Sequence, residues 1–296
     1  MKPRLLSALV LAACVLPTAC DRAPTGPVPA ERPSLITNGV LAGDRYPAVV
    51  LVVMDVNARP TYTCSGTLLS PTVVLTAGHC TGEPNEFTGI RIFPASDLRA
   101  YDAEVSFREG FKKGAPGSIE ASAWAAHPLY TSAAFFRHDV GAIRLSSPVT
   151  LAAGQYPVLP AVDQLESLRP RASTRFTAVG YGLQRVNANP NYKQYQGDLV
   201  RMVAEPHLLQ INTGFTGGFS LLLSNNAASG GTCFGDSGGP NYLGATNVIA
   251  GVTSFGLNAY CRGVDFAYRT DQQAVLDWIR GIVGAEEWSK IEIVSI

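Results

Sequence analysis

Apolar residues along this chain follow two rhythms. Residues 46–56 and 61–77 carry dense runs of Val, Leu and Thr, separated by turn-forming residues. Shorter runs follow at residues 89–93, 140–145, 176–181, 199–204, 220–224 and 248–255, with turn residues between most of them. β-Branched and aromatic residues suit a pleated, half-buried surface, so each run predicts a strand. Many short strands divided by turns predict an all-β barrel or sandwich. The rhythm changes once, where Val275, Trp278, Ile279 and Ile282 recur at helical spacing and predict one amphipathic helix. Thr270 to Gln273 has the form of a capping box, with Thr270 as N-cap, and Gly284 is a natural stop. Residues 285–296 form a tail with no assigned element.

The first 35 residues follow neither rhythm. A short basic start precedes twelve apolar residues, 5–16, too few to span a bilayer and the right length for the core of a signal peptide. The run ends near Ala19-Cys20, which resembles a bacterial lipoprotein signal, although Pro17 stands where an aliphatic residue is usual. Leu11 to Cys14 matches locally but leaves a very short apolar core. Ordinary cleavage and lipidation at Cys20 both remain open, and either predicts export to the extracellular space or the cell envelope. Residues 21–35, rich in Pro and Ala, read as a linker or pro-segment.

Composition narrows the picture. The chain has 296 residues, 46% apolar and only 16% charged, with 29 Gly and 20 Pro, which suits a turn-rich β fold. Lys and Arg balance Asp and Glu at 23 each, so there is no electrostatic case for nucleic acid or for an anionic membrane surface. A membrane partner is expected only through a lipid at Cys20. Beyond the leader lie four cysteines, Cys64, Cys80, Cys233 and Cys261. Three pairings are open to them, and proximity along the chain favours Cys64–Cys80 and Cys233–Cys261. Closing such loops stabilises by about 3 and 3.6 kcal/mol in the chain-entropy picture. No CxxC or HxxxH spacing favours zinc, and no carboxylate cluster suggests calcium, so neither metal nor cofactor is expected.

The candidate chemistry centres on Thr232-Cys233-Phe234-Gly235-Asp236-Ser237-Gly238-Gly239-Pro240. Glycines leave room around the Ser237 hydroxyl and free neighbouring N–H groups to point at a ligand. A serine hydroxyl is a weak nucleophile and needs a base. His79 is the candidate, at the end of the apolar run Val73-Val74-Leu75 and beside Cys80. Asp139 heads the apolar run Val140 to Leu145; a partly buried carboxylate there needs a partner, and a histidine ring N–H supplies one. Adjacent His138 should face the other way in extended chain and is read as exposed or structural.

In the order His, Asp, Ser, these residues resemble the chymotrypsin/trypsin family of serine proteases, in a bacterial-type secreted member. Cys64-Ser65-Gly66, His127-Pro128-Leu129-Tyr130, Gly180-Tyr181-Gly182 and Ser254-Phe255-Gly256 are similar to four further family motifs. The resemblance covers residues 36–284 and implies two six-stranded antiparallel β-barrels with a C-terminal helix, the barrels meeting near residues 150–170 and the active site lying between them. It implies that Ser237 attacks a peptide carbonyl, that His79 moves the proton, and that Asp139 holds the imidazole. It implies further that Gly235 and Ser237 form the oxyanion hole, and that Ser254 and Gly256 pair with an extended protein or peptide substrate.

Specificity and activation are also read through that resemblance. The pocket-base position, acidic in Arg/Lys-selective relatives, is Gly231, so an apolar, non-basic P1 preference is expected. Gly256 leaves one wall open. Gly263 or Phe266 takes the opposite wall, with Asp265 near enough to restore some acidity. Ile36-Thr37-Asn38-Gly39 is similar to the family's mature N-terminus, whose freed amine pairs with the aspartate before the nucleophile, here Asp236. Leu35 precedes it, so an activating protease that is not trypsin-like, or another route, is expected. Two other readings are weaker. A non-catalytic binding module on the same fold usually lacks a triad member. An esterase with a G-x-S-x-G elbow runs in the order Ser, Asp, His.

Overall fold

Twelve strands, numbered in chain order, close into two antiparallel barrels in this computed structural model, which describes residues 38–103, 107–187, 189, 191 and 195–296. The leader, Cys14, Cys20, the linker and Ile36 lie outside the described residues. The first barrel contains β1 (Val49–Val56), β2 (Arg59–Ser70), β3 (Val73–Thr76), β4 (Gly89–Phe93), β5 (Ile119–Ala126) and β6 (Gly141–Leu145). Its ring runs β1-β2-β3-β6-β5-β4 and closes from β4 to β1. The second contains β7 (Arg171–Gly180), β8 (His207–Ile211), β9 (Ser220–Asn225), β10 (Pro240–Leu243), β11 (Ile249–Gly256) and β12 (Gly263–Arg269). Its ring runs β7-β8-β9-β12-β11-β10 and closes from β10 to β7. The two barrels therefore repeat one topology, and closure removes the unpaired edges of each sheet.

The dense early runs build the first core. Val49 to Val53 are all fully buried, which explains why β1 reads as a continuous apolar run instead of an alternating one. Val74, Ile90, Ile92 and Ile143 join them at 1% exposure or less. The predicted run 61–77 divides into β2 and β3 around Pro71-Thr72. Four strands were not legible in the pattern. β5 is largely alanine, a good helix former, and is held extended by pairing with β4 and β6. β8, β10 and β12 are likewise defined by their partners. Of the strand expected at 199–204, Met202–Ala204 forms and pairs with the end of β7.

The helix is Gln273–Trp288, and the expected capping box does not form. Gln272 occupies the N-cap without a side-chain cap bond, because Thr270 instead donates its hydroxyl to the Ile249 carbonyl. Asp271 is fully buried and pairs with Arg269 at 2.8 Å. These residues tie the helix start to the second barrel. Gly284 kinks the helix at φ 82° instead of ending it. The tail then returns so that Ile293–Val294 pairs in parallel with Leu159–Pro160, in the segment that connects the barrels.

Candidate active site

His79 lies on a one-turn helix, Gly78–Thr81, at the end of β3. Its ring Nδ1 sits 2.9 and 3.1 Å from the two carboxylate oxygens of Asp139, and its backbone N–H donates to Asp139 Oδ1 at 2.9 Å. Gly78 permits this approach: a Cβ there would lie 3.2 Å from Asp139 Oδ1 and 2.9 Å from the Tyr130 ring. Asp139 is fully buried at the head of β6, as its position before an apolar run predicts. Its second oxygen also accepts the Ser254 hydroxyl. Ser254 can reach it because β11 bulges against β12 between Thr253 and Phe255.

These contacts set the electrostatics of the imidazole. Burial pulls the His79 pKa down, but the Asp139 charge and hydrogen bond, with Glu86 beyond, hold it above the ordinary value of 6.5. His138 is half-buried and structural. Its φ of 53° is left-handed and not extended, so alternation along a strand is not what turns it from Asp139. Its ring stacks on His127 at 4.9 Å and meets the Tyr268 hydroxyl at 3.3 Å.

Ser237 comes from the other barrel. The loop that carries it is held by Ser65 of β2, whose hydroxyl donates to the Gly235 carbonyl at 2.9 Å and whose N–H donates to the Ser237 carbonyl at 2.7 Å. Within this loop the N–H groups of Asp236, Gly238 and Gly239 have backbone acceptors at 2.8–3.0 Å. Those of Gly235 and Ser237 have no acceptor among the described residues. Gly235 reaches this arrangement at φ 97° and Gly238 at φ 82°, conformations that other residues resist. His79 and Ser237 border the same two clefts.

Asp236 turns inward. It is fully buried and accepts the N–H groups of Gly182 at 2.8 Å and Cys233 at 2.9 Å. The glycines of Gly180-Tyr181-Gly182 make room for it, since a Cβ at Gly180 would lie 2.2 Å from Asp236 Oδ1. Burial pushes its pKa up to about 7. The disulfides are Cys64–Cys80, beside His79, and Cys233–Cys261, beside the Ser237 loop.

The first cleft, of about 550 Å³, is bordered by Ser254, Phe255, Gly256 and Phe135. Its lining differs from the sequence reading. Gly231 does not line it; a Cβ there would lie 2.1 Å from Asn225 Cγ. Gly263 borders a separate cavity, and Phe266 stacks on Phe255 at 4.4 Å instead of forming the far wall. Thr232 and Asp265 are among the residues that line the cleft. Asp265 precedes Phe266 in β12 and therefore faces the opposite side of the sheet. Its carboxylate accepts Thr232 N–H at 2.6 Å and Asn225 Nδ2 at 2.9 and 3.0 Å, and burial raises its pKa to about 6. Ser65, Asn225 and Thr232 carried no role in the sequence reading. Ser65 and Thr232 had a signal, their places in the Cys64-Ser65-Gly66 motif and at the head of the Ser237 run, and Asn225 had none.

Comparison with known proteins agrees with this architecture. Residues 42–279 match the Trypsin family. Brachyurin of Leptuca pugilator is 31% identical over 231 residues, covering 75% of this chain and 88% of brachyurin. Trypsin iota of Drosophila melanogaster is 24% identical over 251 residues, covering 84% and 86%. Among solved structures, HL collagenase superposes with a TM-score of 0.61 at 19% identity, over 84% of this chain and 98% of that one. Human heparin binding protein gives 0.56 at 21% identity, over 83% and 95%. The structural likenesses bear on the fold alone. Family and fold together assign the chain: it belongs to the trypsin family and is a serine-type endopeptidase.

Proposed function

We propose that His79, Asp139 and Ser237 form the catalytic triad of a secreted endopeptidase acting through an acyl-enzyme. The observation that carries this reading is the His79 ring fixed by a buried carboxylate, in a cleft shared with a serine flanked by two unpaired N–H groups. Ser237 Oγ attacks the scissile carbonyl while His79 accepts its proton, and the N–H groups of Gly235 and Ser237 receive the developing oxyanion. His79 then protonates the leaving amine, and water repeats the sequence to release the acyl group. Asp139 holds the imidazole tautomer, and Ser254 and His79 N–H hold Asp139. An extended substrate adds a strand along Ser254–Gly256.

The P1 residue enters the first cleft. Phe135, Phe255 and Leu257 supply apolar walls, which favours apolar P1 side chains, while Asp265 in its lining admits Lys or Arg when ionised. Export through the leader, a domain spanning 36–284, and activation by cleavage before Ile36 with its amine reaching Asp236 belong to the same reading. Lipidation at Cys20 is an optional addition to it. Fluorophosphonate labelling of the form that begins at Ile36 tests the whole. Labelling abolished by Ser237→Ala is the expected result. No labelling of the wild-type form means that the triad is not assembled, and the binding-module reading then takes its place.

A further inference from the structure

The two free N–H groups of the Ser237 loop are set by the carbonyls beside them. In a trans peptide the C=O and the N–H point opposite ways. The Phe234 carbonyl accepts the Leu183 N–H at 2.8 Å, which turns the Gly235 N–H away from Leu183. The Asp236 carbonyl accepts the Gly239 N–H at 2.9 Å, which turns the Ser237 N–H away from Gly239. Between these two peptides lies the one that joins Gly235 to Asp236. Its N–H donates to the Cys233 carbonyl at 3.0 Å, and its carbonyl accepts the Ser65 hydroxyl at 2.9 Å. Gly235, at φ 97° and with no side chain, rotates easily, so the bond to Ser65 is what fixes this carbonyl.

The hydroxyl is itself held. Ser65 is fully buried, and its Oγ accepts the Tyr181 N–H at 3.0 Å. Its backbone adds two bonds, from its N–H to the Ser237 carbonyl at 2.7 Å and from the Thr76 hydroxyl to its own carbonyl at 2.8 Å. None of these partners precedes residue 65, so the arrangement needs no amine freed at Ile36. Asp236, which that amine would meet, already has a donor on each oxygen, the Gly182 N–H on Oδ1 and the Cys233 N–H on Oδ2. With its pKa pushed up to about 7, it also sheds its charge near neutral pH when no cation is at hand.

We infer that the Ser65 hydroxyl is a positioning group that holds the oxyanion loop in its working shape before the chain is cut at Ile36, so that the uncut protein already hydrolyses peptides. The inference rests on the triad reading above and concerns only when the loop is formed. The freed amine and the hydroxyl bias the same two-state loop. In the cut form the amine keeps the loop formed with or without the hydroxyl. In the uncut chain the hydroxyl decides what fraction is formed.

Kinetics of two forms test this. One is kept joined by Ile36→Pro and checked by intact mass. The other is released by a site-specific protease so that it begins at Ile36. Each is made with Ser65 and with Ser65→Ala, and kcat and KM are measured on a peptide amide with Phe at P1. The uncut Ser65 form should reach at least about a tenth of the cut form's kcat. Ser65→Ala should lower kcat of the uncut form about tenfold, as loss of a buried hydrogen bond does, and that of the cut form less than about twofold. KM should barely move, since the loop's N–H groups meet the oxyanion only in the transition state. Near-normal kcat of the cut Ser65→Ala form shows that this variant folds. No turnover by the uncut Ser65 form, or an equal effect of Ser65→Ala in both forms, overturns the inference. No fluorophosphonate labelling of the cut Ser65 form overturns the triad reading beneath it.

Discussion

At the scale of single residues, the site turns on where a few carboxylates sit. Asp139, Asp236 and Asp265 are all at most 5% exposed, and each is held by a different set of donors. Asp265 is the one that lines the proposed P1 cleft. With its pKa raised to about 6, it is neutral in acid and ionised at neutral pH. The ratio of kcat/KM for matched Arg and Phe P1 peptides should therefore rise between pH 5 and pH 8. A ratio flat across that range would remove Asp265 from the pocket's chemistry. The position expected to decide basic specificity, Gly231, has no room for a side chain. Gly231→Asp should lower the Tm by several degrees through collision with Asn225 and bring no gain on Arg substrates, as thermal unfolding and peptide kinetics would read out.

At the scale of elements, the C-terminal segment changes meaning. A helix with one apolar face was legible from residues 275–282, since periodicity is local. Its cap was not, because Thr270 and Asp271 are drawn to Ile249 and Arg269, and nothing in the helix sequence announces those partners. The tail was unassigned for the same reason. Its bonds are long-range: Glu287 accepts the Ser70 hydroxyl at 2.6 Å, Ile291 is 6% exposed, and Ala161 N–H donates to Val294 at 2.7 Å. The tail thus joins the first barrel to the connection between the barrels. Ending the chain after Gly284 should cost about 3 kcal/mol from the lost apolar burial and buried hydrogen bonds. For a chain of this size that is roughly 6–12 °C in Tm. A truncated protein with unchanged Tm would show that the tail contributes nothing.

At the scale of the whole molecule, buried charge ties stability to pH and, in the proposed reading, to maturation. Asp236 and Asp265 have folded-state pKa values of about 7 and about 6, both raised by burial. A raised acid pKa means that the stabilisation is complete below the ordinary carboxylate value of 3.8 and is lost as pH rises through the folded value. His127 and His138 act oppositely: burial lowers both pKa values, so they cost stability as pH falls below 6.5. Above about pH 7 both carboxylates are ionised in either state, and their contribution stops changing with pH. The uncleaved Ser237→Ala protein should therefore lose the Asp236 share of its Tm between about pH 4 and pH 7. The form beginning at Ile36 should lose much less, because its amine supplies Asp236 with a cation. Parallel Tm curves for the two forms would count against the proposed Ile36–Asp236 pairing.

Much of this molecule was decided by its sequence alone. The all-β class follows from short apolar runs and turns, the two disulfides from proximity, and the candidate triad from three local motifs whose order argues against the esterase arrangement. Local chemistry fixes such features because neighbours in sequence create them. Tertiary structure alone decided the rest. The alanine-rich β5 is a strand only through its partners, Ser65 matters because β2 reaches the Ser237 loop, and Asp265 lines the cleft while Gly231, Gly263 and Phe266 do not. In each case the deciding contact joins residues distant in the chain, and the free energy of that contact is absent until both barrels have closed.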